Sequence, residues 1–341
     1  MSILIAMSGG VDSSVSAFLV RERHPVCKGA TMLLHGGENT SDARAVCEIL
    51  GIGFEVLDCR AVFAERVMRN FVDVYEAGGT PNPCIDCNKF LKFGEFMRHS
   101  DGKIATGHYA RIERDASGRF LLRKAADLAR DQSYVLYSLT QEQLARTEFP
   151  LGAMTKPEVR DLAGTLVFHN ARKHDSQDIC FVPDGDYGKF IEEYTGKVYP
   201  SGQFVDTSGK VIGTHKGIVH YTAVQRRGLG VSAEARLYVA GIDPSRNTIT
   251  LARENEESLY ARGVVVRGVN LIAFDRMPEN FRGKVKTRYR QKEIACTVNQ
   301  TGDDELVIEF AERQRMPARG QGAVIYDGEY VIGGGTIREI L

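Results

Sequence analysis

Two short stretches hold the residue types that do chemistry. In SGGVDSS, residues 8–14, two glycines, one acid and three serines stand between an apolar run, Ile3–Met7, and an apolar pattern at Val11, Val15, Phe18 and Leu19. That pattern is a strand entering a helix. Gly9 and Gly10 allow positive φ and a close ligand approach. The helix start offers unpaired N–H groups and the positive end of a dipole, so the loop is a cradle for an anion, with pyrophosphate as the natural guest. No Gly-Lys-Ser/Thr follows, so it is not a Walker loop. Asp12 next to phosphate is repulsive unless it holds a magnesium ion or faces a basic group.

The second stretch is PNPCIDCNKF, residues 81–90, with Cys84 and Cys87 in a proline-bracketed turn ahead of a helix predicted over 88–98. A helix N-terminus and the nearby Lys89 are expected to lower the Cys87 pKa and favour thiolate. Four-ligand zinc needs another close cysteine pair, and the sequence has none. The remaining candidate partner is Cys180, 93 residues on. Cys27, Cys47, Cys59 and Cys296 read as buried structural thiols.

These residues need a frame. Strands are predicted at 3–7, 28–34, 53–58 and 103–106, and helices at 11–22, 41–50, 60–77 and 88–98, an alternation that implies a parallel α/β sheet. RFLLRKA reads as part of a hairpin, and RDQSYVLYSLTQEQL and KPEVRDLAGTL as helices. After Cys180 the chain becomes rich in turns, and from about residue 260 nearly everything reads as strand. Three domains are expected: α/β over 1–185, a small central module over 186–255 and a β-barrel over 256–341. Lys+Arg and Asp+Glu are both 44, so no global field marks a nucleic-acid binder and any RNA grip must be local. RGKVKTRYRQK supplies one candidate: on a strand, Arg282, Lys284, Lys286, Arg288, Arg290 and Lys292 would share a face at a spacing of about 6.6 Å. His215, His220, Arg226 and Arg227 read as a solvated face of the central module. No signal peptide and no spanning helix is legible, so a cytoplasmic protein away from membranes is expected.

SGGVDSS resembles the PP-loop of the ATP pyrophosphatases, which cleave ATP between its α and β phosphates. TPNPCIDCNKFLKF, IATGHYAR, RDQSYVLYSL, SQDICF, GTHKGIVHYTAVQRRGLG, RYR and GQGAVIYDGEYVIGGGTI, in this order, resemble the tRNA-specific 2-thiouridylase family along essentially the whole chain. The resemblance implies a PP-loop α/β (Rossmann-like) domain, a small central domain and a C-terminal β-barrel. It also implies ATP-dependent 2-thiolation of the wobble uridine, U34, with magnesium, tRNA and a sulfur donor as partners. Position by position, it implies that Ala6, Met7, Ser8, Gly9, Gly10, Val11, Asp12, Ser13, Met32 and Gly107 bind ATP. Cys87 matches the nucleophile and Cys180 the persulfide carrier. Asn82 and Pro83, with Cys84, would border the target base, while His108, Arg130, Asp131, Gln132, Arg288, Tyr289 and Gln321 match tRNA contacts.

Departures are specific. Cys84 stands where many members have an Asp with an acid–base role, YTIGQR appears as YTAVQRR, and the segment after the second strand is shorter and lacks tryptophan. Cys84 leaves two sulfur routes open: a persulfide on Cys180, or an iron–sulfur (4Fe–4S) cluster on Cys84, Cys87 and Cys180 that binds hydrosulfide. Three other functions stay in view: an amide-forming PP-loop ligase, which needs no essential cysteine; a non-catalytic tRNA or iron–sulfur module, which needs no ATP; and a sulfurtransferase acting at another tRNA position.

Overall fold

A computed structural model describes residues 2–36, 38–166, 168 and 179–341. The first of its three sheets is parallel, in the order Gly53–Asp58, Cys27–Leu33, Ile3–Ala6, Lys103–Ala105, Thr147–Glu148. The alternation of side chains along Ile3–Ala6 splits the core in two. Ile3 and Ile5 pack with Val15, Val46 and Val159, from helices Val11–Arg23, Ser41–Leu50 and Lys156–Thr165. Leu4 packs on the opposite face with Phe93, Phe96 and Tyr134. Thr147–Glu148 is too short to leave a pattern in the sequence, and its register on Lys103–Ala105 reveals it.

KPEVRDLAGTL is a helix, with Pro157 in its first turn and reciprocal bonds between Thr155 and Glu158 closing its start. RDQSYVLYSLTQEQL is not one helix. It forms a 3₁₀ turn, Ser133–Leu136, and a separate helix, Gln141–Ala145. Tyr134, Val135, Leu136 and Tyr137 are all buried, so the segment has no solvent face for an amphipathic helix to present. The helix predicted over 88–98 begins at Pro83: Pro83–Asp86 leads into the π-helical stretch Cys87–Glu95 and then Phe96–Arg98. Cys84 therefore lies in the first turn and Cys87 beyond it.

The second sheet orders Leu237–Asp243, Thr248–Arg253, Gly202–Val205 and Val211–His215. Its core joins Phe204, Val239 and Leu251 to Phe63, Phe71 and Val72 of the α/β layer. His215 does not lie on a solvated face. It is 1% exposed and packs edge-on against Phe204 and Tyr221, whereas Arg226 and Arg227 are exposed.

The third sheet closes on itself, as expected for a C-terminal barrel. Tyr260–Leu271, Glu305–Arg315, Ile294–Gly302, Phe281–Lys286, Gly322–Asp327 and Tyr330–Ile340 follow one another, and the last pairs back with the first. The hairpin Ala110–Arg114/Phe120–Lys124 leaves the α/β layer and adds to this sheet through Arg123–Tyr330 and Leu122–Val331. Val324, Tyr326 and Val331 of the barrel enter the same core as Leu4 and Phe93. The barrel is thus bonded and packed to the α/β layer; truncating a core aromatic such as Phe93 to alanine costs ~3–5 kcal/mol.

The six-residue basic stripe is not formed. The strand ends at Lys286, so Arg282, Lys284 and Lys286 alternate along it, while Arg288 and Tyr289 lie in the turn that follows. Arg288 instead donates to the Met316 carbonyl (2.6 Å), and Lys286 lies over the rings of Tyr134 and Tyr289. Among the described residues no helix is long and apolar enough to cross a membrane.

Candidate active site

Strand order places Ile3–Ala6 and Lys103–Ala105 side by side, with the earlier strands all on one flank; the crevice between their C-terminal ends is the switch point where open α/β sheets bind ligands. The loop after Ile3–Ala6 is the glycine loop. Gly9 takes φ +72°, and Gly10 is the extended N-cap of the helix. Its side chains are knitted together: the Ser8 hydroxyl donates to Ser13 Oγ (3.2 Å), and the Ser13 and Ser14 hydroxyls donate to the Gly10 carbonyl (2.9 and 3.0 Å). Met7 is buried, its N–H bonded to Ala30 and its carbonyl to the Thr31 hydroxyl. Asp12 faces a basic group that sequence reading missed. Lys156 Nζ lies 2.8 Å from each carboxylate oxygen, and the Tyr109 hydroxyl adds a third contact at 2.8 Å. Met32 is half-buried at the end of its strand.

The loop after Lys103–Ala105 carries Gly107 and His108. A Cβ on Gly107 would come within 3.1 Å of the Asp12 and Ser13 backbone, so this glycine packs directly on the cradle. His108 points into protein: it is 7% exposed, bonded to the Thr106 hydroxyl through Nδ1 (2.7 Å) and flanked by Phe93 and Phe149. Burial, aided by the charge of Lys92, holds its pKa well below the usual histidine value, so the ring is neutral.

Lys92 is shared with the thiols. In an α-helix, residues 87 and 92 diverge by about 140°, five steps of about 100°. The i→i+5 winding of Cys87–Glu95 turns Lys92 back toward Cys87. Its charge acts on Cys84, Cys87 and Cys180. It does not make them thiolates. Desolvation dominates and raises all three thiols, Cys180 to about 11, so the expectation of a depressed Cys87 pKa fails. Cys84 and Cys180 are nonetheless exposed to solvent. An accessible thiol that loses hydration to surrounding protein lies in a concavity.

Cys180 comes to this concavity because its neighbour is anchored. Phe181 packs edge-on against Phe63 (5.6 Å) and Phe71 (5.2 Å), and Ile179 and Cys87 belong to the same apolar cluster. Charge on Cys87 or Cys84 raises Cys180 directly. Ser176, Gln177 and Asp178 of the SQDICF motif lie outside the described residues. Among the described residues no three His, Cys, Asp or Glu side chains are arranged to hold a metal ion. The three thiols share the field of Lys92. Of the other cysteines, Cys47, Cys59 and Cys296 are buried as expected, and Cys27 is half-exposed at a strand start.

The residues expected to contact tRNA mostly bond to neighbouring protein. Gln132 Oε1 accepts the Tyr109 N–H (2.9 Å), and Asp131 accepts the N–H groups of Ala125 and Ser133. The Tyr289 hydroxyl reaches the Asp131 carbonyl (3.1 Å), and the Tyr289 ring lies in the field of Cys84 and Arg130. Gln321 donates to the carbonyls of Thr80 and Pro81 (3.0 and 2.8 Å), just ahead of Asn82, Pro83 and Cys84. Tyr289 is thus linked to Asp131 and Gln321 to the residues just ahead of Asn82, while Arg288 is turned to Met316.

Comparison with known proteins follows the same three-part division. Domain models described as tRNA methyl transferase HUP domain, tRNA methyl transferase PRC-barrel domain and aminomethyltransferase beta-barrel domain match residues 1–184, 188–253 and 261–337. A tRNA-specific 2-thiouridylase MnmA of Clostridioides difficile is 42% identical, over 99% of this chain and 98% of its own length. One from Geotalea uraniireducens is 44% identical, over 98% and 94%. Among solved structures, the U34-tRNA thiolase NcsA of Methanococcus maripaludis with its 4Fe–4S cluster aligns over 57% of this chain and 63% of its own, at 20% identity and a TM-score of 0.33, too low to carry an argument.

Proposed function

The chain belongs to the tRNA-specific 2-thiouridylase family, and on that footing we propose that it replaces the C2 oxygen of a tRNA wobble uridine by sulfur at the expense of ATP. The observation that carries the proposal is a single dipeptide. Gly107 packs on the phosphate cradle, and His108, the next residue, lies in the field of the lysine that also acts on all three thiols. Consecutive Cα atoms are about 3.8 Å apart, which supports placing the nucleotide bed near the thiols.

The cradle's N–H groups take the β and γ phosphates of ATP, entering as its magnesium salt. Asp12 is neutralised by Lys156, which engages both its oxygens. The uridine C2 oxygen attacks the α-phosphate, and pyrophosphate leaves against the helix start. To reach this pocket the base must leave its stack, and Asn82, Pro83 and Cys84 border it. Sulfur arrives on Cys180 as a persulfide from a donor protein or a persulfide reagent. The Cys87 sulfur attacks the Cys180 sulfur; the Cys87–Cys180 bond forms as hydrosulfide departs. Hydrosulfide adds at C2 and AMP leaves, and cellular thiols reduce the disulfide. Lys92 offsets the negative charge on sulfur in this poorly hydrated pocket.

Methyl transfer, the activity in two of the domain descriptions, would use neither the phosphate cradle nor the thiols. The test is nucleoside analysis after incubating unmodified tRNA with the protein, ATP, magnesium and a persulfide donor. The wild-type chain yields 2-thiouridine, and Cys87→Ala yields none while pyrophosphate release continues. A methylated nucleoside, or thiolation that survives Cys87→Ala, overturns the proposal.

A further inference from the structure

The acid in the glycine loop sits where an incoming polyphosphate would meet it. Lys156 Nζ holds both its oxygens at 2.8 Å, and the Tyr109 hydroxyl holds Oδ1 at 2.8 Å. Lys156 and Tyr109 are 5% and 3% exposed, whereas the Asp12 side chain retains 31% of its surface. The carboxylate is thus gripped from the protein side while its other side still faces the crevice. The grip is stiff. The Lys156 N–H donates to Asp127 (3.0 Å), and the Thr155–Glu158 capping box fixes the helix start from which the ammonium reaches out. A buried ammonium is tolerated only with such an anion beside it, so the two charges depend on each other.

We propose that Lys156 is a positioning residue for the nucleotide reaction: by holding both oxygens of Asp12 it neutralises the acid of the glycine loop and fixes the helix turn that receives the phosphates. The proposal rests on the reading that this loop binds ATP. Lys156 acts through Asp12, and that sets it apart from a direct phosphate ligand. A direct ligand is needed whether or not Asp12 is charged. A residue that works by neutralising Asp12 is dispensable once Asp12 carries no charge.

The test is calorimetric binding of α,β-methylene ATP with magnesium to the full chain, for the wild type, Lys156→Met, Lys156→Arg, Asp12→Asn and the Asp12→Asn/Lys156→Met pair, with melting curves alongside. Lys156→Met is expected to weaken binding by about tenfold or more, an uncompensated carboxylate then facing the triphosphate. Lys156→Arg should keep affinity within about threefold of wild type, and the uncharged pair within about threefold of Asp12→Asn alone. In turnover, Lys156→Met should raise the KM for ATP far more than it lowers kcat. Should Lys156→Met fail to fold, the uncharged pair decides, since it leaves no lone buried charge: binding about tenfold weaker than Asp12→Asn alone overturns the proposal. Unchanged affinity in Lys156→Met also overturns it and leaves the ATP reading intact. A wild-type chain that does not bind the analogue overturns the ATP reading, and the proposal with it.

Discussion

Gln321 of the barrel donates its side-chain amide to the carbonyl of Pro81 at 2.8 Å, three residues before Cys84. The same amide reaches Thr80 at 3.0 Å, so a residue expected to touch tRNA instead ties the barrel to the loop that presents the thiols. Helix Pro83–Asp86 starts where that loop ends. The place of Cys84 therefore depends on a bond from the far end of the chain.

Replacing Gln321 by alanine should free this loop. Two neutral hydrogen bonds are lost, for a destabilisation of ~1–2 kcal/mol in chemical unfolding. Thiolation at saturating tRNA should fall while tRNA affinity stays unchanged. A rise in the tRNA Kd at constant kcat would restore Gln321 to the role of a tRNA contact.

Asp86 separates the two cysteines of CIDC and is raised to about 6 by desolvation, partly opposed by the Asn70 amide at 2.8 Å. A carboxyl whose folded pKa lies above its ordinary value contributes stability while protonated, and that contribution fades as pH rises through about 6. Asp86→Asn should remove this decline. The variant should gain on the order of 1–3 kcal/mol over wild type at pH 7.5 and little at pH 4. Equal unfolding midpoints for the two proteins at both pH values would contradict the assignment.

The thiols should be sluggish in the absence of substrates. With Cys180 raised to about 11 by desolvation and by charge on Cys87 and Cys84, its alkylation by iodoacetamide should keep accelerating from pH 7 to 10 without a plateau. Lys92→Met removes a charge that lowers all three thiols, so Cys84, Cys87 and Cys180 should all react more slowly at pH 8.5. A plateau near pH 8.5 would show that ordinary hydration reaches Cys180.

Arg282 and Lys284 are exposed on their strand, beside a groove of about 520 Å³. Reversing both to Glu should weaken tRNA binding and lower the slope of log affinity against log salt by about two, one per lost phosphate contact. Binding of α,β-methylene ATP should not change. An unaltered salt slope places the tRNA elsewhere on the surface.

Much of this was legible because local physics dictated it. The apolar run before Gly9, the helical spacing after it and the Pro157 start each need only their own few residues to specify an element. What escaped depends on partners far away in sequence. Lys156 reads as an ordinary first-turn residue until its helix is laid beside the glycine loop. The Tyr134–Tyr137 run has helical composition, but packing between sheet and barrel buries it on all sides. The basic period of two continues past Lys286, yet the chain turns there and Arg288 bonds to Met316. Cys87 looked activated from its neighbours in sequence, and only the enclosing walls reveal that lost hydration outweighs the nearby lysine. The roles expected of Cys84, Cys87 and Cys180 came from the family resemblance, whereas their common concavity depends on Phe181 docking against Phe63 and Phe71.

The most direct test is a single turnover. Protein charged with persulfide is mixed with unmodified tRNA, ATP and magnesium without reductant, then quenched with an alkylating agent and digested for peptide mapping. The sulfur-relay account predicts a Cys87–Cys180 disulfide peptide in an amount equal to the 2-thiouridine formed. Full yield of 2-thiouridine with both cysteines still alkylated as free thiols would contradict it.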